Sequence, residues 1–156
     1  MKKSIFRLGV VLVVLSLFVT GCGNKKSITG EEFKNKIEKQ DKYLLTNARE
    51  QFEENDMLVS VYIASDKNYK YQVEFYEFKK EADAKSFVEG NREIFEKEKG
   101  NSNTESEVNV ANYSKYTLKT NDEYKVLSRI DNTVAYVNAK DKYTDEVQEI
   151  LKLIGY

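Results

Sequence analysis

Apolar positions along the chain follow several different periods, and each change of period predicts an element. Residues 8–19 are almost continuously apolar. Thr29 and Glu32 then have the spacing of a capping box, with Phe33 and Ile37 one turn apart behind them, which predicts a short helix over 30–40. Residues 43–46 read as extended, and 47–53, carrying Ala48 and Phe52, as a turn or two of helix. From Met57 the period falls to two. Val59, Val61 and Ile63 alternate with Ser60, Tyr62 and Ala64, and after a turn at Asp66-Lys67-Asn68 the alternation returns at Tyr69, Tyr71, Val73 and Phe75. Ala84, Phe87, Val88, Asn91, Ile94 and Phe95 share one face of a helix predicted over 81–99, ended by Gly100.

Residues 101–107 are polar and read as a loop. Strands are expected over 113–120, 124–130 and 133–139, the last two joined at Asp131-Asn132, residue types that tolerate positive φ. Tyr143, Val147, Ile150, Leu151 and Ile154 mark a final amphipathic helix, with Asp145 and Glu146 suited to its first turn and Gly155 to its end. Strands come in neighbouring pairs, without a parallel β-α-β alternation. The order predicts an α+β fold: a single antiparallel sheet of about 4–6 strands with helices mainly on one face. Strand–turn–strand–helix occurs at 57–99 and again at 124–154, which suggests an internal repeat.

The first segment has the three parts of a secretory signal: basic Lys2, Lys3 and Arg7, the apolar run, and small Gly21 before the break. The run is about a dozen residues, short of the ~20 a helix needs to cross a bilayer. Cys22, the only cysteine, follows directly. Val19, Thr20, Gly21 and Cys22 match, position by position, the lipobox of bacterial lipoprotein precursors, which this segment resembles. The resemblance implies cleavage before Cys22 and a diacylglyceryl thioether on its sulfur, leaving it the mature N-terminus. A thiolate is the side chain most ready to be alkylated. The expected organisation is a signal peptide over 1–21, a lipidated tether over 22–28 and one domain over 29–156. The expected location is the extracytoplasmic face of the cell membrane. Fully extended, the tether reaches only ~25 Å, so the domain is expected close to the lipid, with Lys25 and Lys26 among anionic headgroups.

Composition narrows the chemistry. Cleavage would leave 135 of the 156 residues, enough for one core, and would remove three of 25 cations and none of 26 anions, taking the net charge from −1 to −4. No basic stripe is left to contact phosphates, which argues against a nucleic-acid partner. The chain has no His, so its commonest general base and metal ligand are absent, and triads that need His are excluded. No motif implies a cofactor. The mature part also resembles small uncharacterised lipoproteins of Gram-positive bacteria, on the aromatic strand and helix after Tyr71, the Arg129-Ile130-Asp131-Asn132-Thr133 hairpin and the Ile-Gly-Tyr ending. That resemblance carries over no functional residue.

Three candidate sites remain. Tyr62, Tyr76 and Phe78, with Arg129 and Tyr136, are the candidate binding face of the sheet, since Tyr and Arg dominate binding hot spots. Asn101, Asn103, Glu105 and Glu107 place oxygens at alternate positions, as a calcium loop does. Ser106 stands where such a loop needs Gly and Asn112 where it needs Glu, so no metal is assigned. Glu74 and Glu77 are a carboxylate pair of the kind wall-glycan hydrolases use. The expected function is a non-enzymatic protein- or peptide-binding module held at the membrane. The alternatives are an immunity lipoprotein sequestering an antimicrobial peptide, or a carboxylate-based cell-wall hydrolase.

Overall fold

Pairing between strands sorts the side chains onto two faces, and both faces are apolar. In the computed structural model, which describes residues 24–156, β1 (Tyr43–Asn47) pairs with β2 (Leu58–Asp66), and β2 with β3 (Gln72–Phe78). Tyr62 lies opposite Phe75 and Val61 opposite Tyr76. Successive side chains alternate, so the first pair points to one face and the second to the other. Later in the chain come β4 (Asn103–Val110), β5 (Tyr113–Thr120), β6 (Glu123–Ile130) and β7 (Thr133–Lys140). The sheet has seven strands in the order β1-β2-β3-β7-β6-β5-β4, every neighbouring pair antiparallel. The fold is α+β with one antiparallel sheet, as predicted, but with more strands than the 4–6 expected. The signal segment and the lipobox Val19, Thr20, Gly21 and Cys22 lie outside the described residues.

Among the described residues three helices cover the sheet. α1 (Gly30–Glu38) begins at the predicted capping box: the Thr29 amide donates to Glu32 Oε2 at 2.8 Å, and the Glu32 amide to Thr29 Oγ1 at 3.2 Å. With α3 (Thr144–Ile154), ended by Gly155 at φ 91°, it packs on the first face. There Phe33 stacks on Phe75 with ring centroids 4.7 Å apart, and Tyr156 meets the same ring edge-on at 6.0 Å. The Tyr156 hydroxyl is tied to Thr133 Oγ1, which donates to the Ile130 carbonyl at 2.7 Å.

The second face belongs to α2 (Glu81–Lys97). Phe87 of this helix packs on Tyr76 at 4.7 Å and Phe78 at 5.4 Å, and Phe95 on Tyr136 at 5.6 Å. Helices therefore lie on both faces, two against one. This also limits the apparent repeat. A two-fold axis relating β2-β3 to β6-β7 would run perpendicular to the sheet and put both following helices on the same side. α2 and α3 dock on opposite sides, so only the order of elements recurs.

One turn and one core ring bear on stability. The β2–β3 turn closes over Asp66, whose carboxylate accepts from the amides of Lys70, Asn68 and Tyr71. Burial pushes this carboxyl up, but the amides outweigh it and hold it below its ordinary value. A depressed folded pKa means stability that is fully present above the ordinary carboxylate range, ~3.9, and lost as pH falls through the folded value. Asp66→Asn is therefore expected to flatten the acid limb of a stability–pH curve, measured by urea unfolding from neutral to acid pH. In the core, Phe75 is fully buried between Phe33 and Tyr156. Phe75→Ala is expected to cost about 3–5 kcal/mol in the same measurement.

Candidate functional site

The five residues expected to form one binding face are divided by the sheet. Tyr62 lies on the first face, buried beneath α1, where its hydroxyl donates to Glu31 Oε1 at 3.0 Å. Tyr76, Phe78, Arg129 and Tyr136 lie on the second face. Tyr76 and Phe78 are buried under Phe87. Arg129 is also buried, donating to Glu81 Oε1 at 3.1 Å and to the Asp131 carbonyl at 2.9 Å. Tyr136 alone is half-buried. The split arises because both alternating sets of side chains are apolar in β2 and in β3. Val61 and Ile63 share a face with Tyr76, while Val73 and Phe75 share one with Tyr62. Hydropathy cannot distinguish that register from the one expected; the length of the 66–71 turn decides it.

What α2 leaves open on the second face is a row across four strands. Thr46 pairs with Ile63, Ile63 with Glu74, and Glu74 with Tyr136. Thr46 is exposed and the other three are half-buried. Glu74 is already engaged, accepting from the Tyr76 hydroxyl and from Gln72 Nε2 at 2.8 Å. Burial pushes both the Tyr76 and Tyr136 phenols up, helped by the hydrogen bond to Glu74 for Tyr76 and by the Glu74 charge for Tyr136, so they remain protonated at neutral pH. Glu77, three residues from Glu74 and so of opposite parity, points to the first face instead. There it accepts from the Gly30 amide and the Ser60 hydroxyl, each at 2.9 Å. The carboxylate pair does not converge.

The polar stretch read as a loop over 101–107 is largely strand. β4 pairs with β5 at every residue from Asn103 to Val110. Asn103, Glu105, Glu107 and Asn109 alternate on the second face, and their partners lie across the gap to α2. Arg92 grips Glu107 through two hydrogen bonds of 2.7 and 2.8 Å while its guanidinium lies 4.9 Å from the Tyr116 ring, and Lys99 pairs with Glu105. Between α2 and β4 this leaves a groove of about 370 Å³ lined in part by Lys85, Arg92, Glu107, Ser114 and Arg129. Among the described residues no group of three or more Asp, Glu, Cys or His is placed to hold a metal ion.

β4 itself is the feature that hydropathy did not reveal. All eight residues are exposed, and among the described residues it ends the sheet, with no strand beside its outer backbone edge. Natural sheets protect such edges with Pro, Lys, bulges or shortness. β4 has neither Pro nor Lys and its register with β5 is unbroken, whereas β1 at the opposite edge is only five residues long. A signal was present in the sequence: β-branched Thr104, Val108 and Val110 fall on one parity, and Glu105, Glu107 and Asn109 on the other. The five residues preceding α1 are also placed. The Lys25 amide donates to Asn112 Oδ1 at 3.0 Å, and Asn112 Nδ2 returns a bond to the Lys25 carbonyl at 2.7 Å and another to Asp131 Oδ1 at 2.9 Å. The Lys25 ammonium lies 3.6 Å over the Tyr113 ring. The chain thus enters the domain at the β4–β5 turn.

Comparison with protein-family models, with curated proteins and with solved structures yields no match. Among the described residues no helix is long and apolar enough to cross a membrane.

Proposed function

We propose that the chain is a membrane-anchored extracytoplasmic lipoprotein whose domain binds a protein or peptide and carries out no chemistry of its own. The observation that carries the binding role is β4, an eight-residue exposed strand with an open backbone edge. An extended peptide added there would gain main-chain hydrogen bonds for affinity and side-chain contacts on alternate residues for specificity. The flanking surfaces differ in character: Val108 and Val110 on one face, the Arg92–Glu107 groove on the other. The anchor is supported by the lipobox residues Val19, Thr20, Gly21 and Cys22 and by the placement of Lys25. Only Gly23 and Asn24 lie between Cys22 and Lys25, three residue steps that reach at most ~11 Å, so an acyl group on that sulfur would begin close to the β4–β5 turn.

That proximity favours the narrower form of the same reading, an immunity lipoprotein that holds an antimicrobial peptide beside the lipid it attacks. A hydrolase reading has less support, since Glu74 and Glu77 face opposite sides of the sheet.

The test is a photo-crosslinking residue at Ser106 in the anchored protein in living cells, with the same residue at Asn138 as control. A discrete adduct at 106 and none at 138 is expected. The adduct should disappear when Thr104 and Val108 are both changed to Lys, the side chain that natural edge strands use to repel pairing. Adducts equal at both positions, or untouched by the two lysines, would contradict strand addition.

A further inference from the structure

We infer that the end of the sheet where the chain enters lies against an anionic bilayer surface, with the β4–β5 hairpin as its apolar contact. This rests on the lipid-anchor reading of Cys22 and adds an orientation to it. The first support is the point of entry. Lys25 is held by reciprocal hydrogen bonds to Asn112, so the chain leading back to Cys22 leaves from one defined end of the sheet. A tether of three residue steps has little room to turn the domain over.

The second support is what that end exposes. Val108 and Val110, on the first face of β4 beside the point of entry, are 41% and 46% exposed. Among the described residues the other exposed large apolar side chains, Met57, Val59, Tyr69 and Ile94, lie away from this hairpin. Single exposed apolar residues are ordinary, but Val108 and Val110 are neighbours on one face of an edge strand at the point where the chain enters.

The third support is charge. Lys25 and Lys26 are exposed on the entering segment, and Lys79 and Lys80 just beyond β3 at the same end. Lys115, opposite Val108 on the first face, faces Lys25; burial and that neighbour both lower its pKa. Among the described residues, none of these five cations has a carboxylate within 4.0 Å. The first face of β4 and β5 carries no acidic residue, and Glu105 and Glu107 point away from it, towards Lys99 and Arg92. The nearby Asp131 and Glu81 carboxylates are engaged by Asn112 and by Arg129 with Lys85. At the β2 side of this end, far along the strand order from the hairpin, Glu50, Glu53, Glu54 and Asp56 are exposed beside Lys79 and Lys80. The ammonium groups that suit acidic headgroups are therefore those of Lys25, Lys26 and Lys115 beside Val108 and Val110.

The chain contains no Trp, so a single introduced Trp reports on its own position. Full-length protein is purified from cell membranes, its acylation read by intact mass, and reconstituted into vesicles of phosphatidylglycerol with acyl-brominated phosphatidylcholine. Val108→Trp and Val110→Trp are expected to lose most of their fluorescence to the brominated chains, whereas Tyr69→Trp at the opposite end keeps its own. Lys25→Gln with Lys115→Gln, or high salt, should weaken the quenching in these vesicles and have no effect in vesicles of phosphatidylcholine alone. Absence of the acyl mass on Cys22 would overturn the anchor and the orientation together. Acylated protein whose hairpin reporters are quenched no more than Tyr69→Trp would overturn the orientation and leave the anchor standing. A blue shift of the hairpin reporters without vesicles, growing with protein concentration, would place a second copy of the chain there and likewise overturn it.

Discussion

Both faces of the central strands must be buried, and the described residues supply three helices with which to do it. β3, β7 and β6 carry large apolar side chains on each side: Phe75, Ala135 and Val126 on the first, Tyr76, Val134 and Leu127 on the second. Leaving any one of the larger of these in water would cost about 1.5–3 kcal/mol, so neither face can be left bare. α1 and α3 meet the first demand through Phe33 on Phe75, and α2 meets the second through Phe87 and Phe95. Coverage is then exhausted. Among the described residues no helix covers β4 at one edge, and every residue of it is exposed. The open strand is thus a consequence of where the helices are needed.

The same constraint explains which parts of the fold were legible. α1 with its capping box, α3 with Gly155, the β6–β7 hairpin at Asp131-Asn132 and the start of α2 all follow from local signals, and each lies where those signals place it. Local signals fail where tertiary pairing decides. Which apolar parity of β2 faces which parity of β3 depends on the turn between them, so the Tyr and Arg expected on one surface lie on two. Tyr62 serves α1, while Tyr76, Phe78 and Arg129 serve α2. The edge strand escaped for the opposite reason. A strand buried on neither face needs no apolar alternation, and Asn103 to Glu107 show none. What holds it is the backbone ladder to β5 and the grip of Arg92 and Lys99 on its carboxylates.

The entering segment joins these observations to the proposed location. Read from residue types alone, Gly23 to Ser27 is a hydrophilic spacer. In the fold, Lys25 is bound to Asn112 and Ile28 packs against the first-face core, so the spacer is short and its exit is set. The exit adjoins the Val110 end of β4. If Cys22 carries lipid, the open edge lies close to the bilayer, where a membrane-active peptide would be encountered before it inserted.

All of this depends on the outer edge of β4 being free in the protein on its own. Amide hydrogen exchange of the full-length chain, resolved by residue over 103–110, measures that directly. In an antiparallel edge strand, every second amide points away from its partner. The account predicts alternation: inward amides protected by β5, outward ones exchanging close to the rate of an unstructured peptide, and slowing only when a strand is added beside them. Uniform protection of all eight amides in the protein alone would mean that the edge is already covered, and would contradict it.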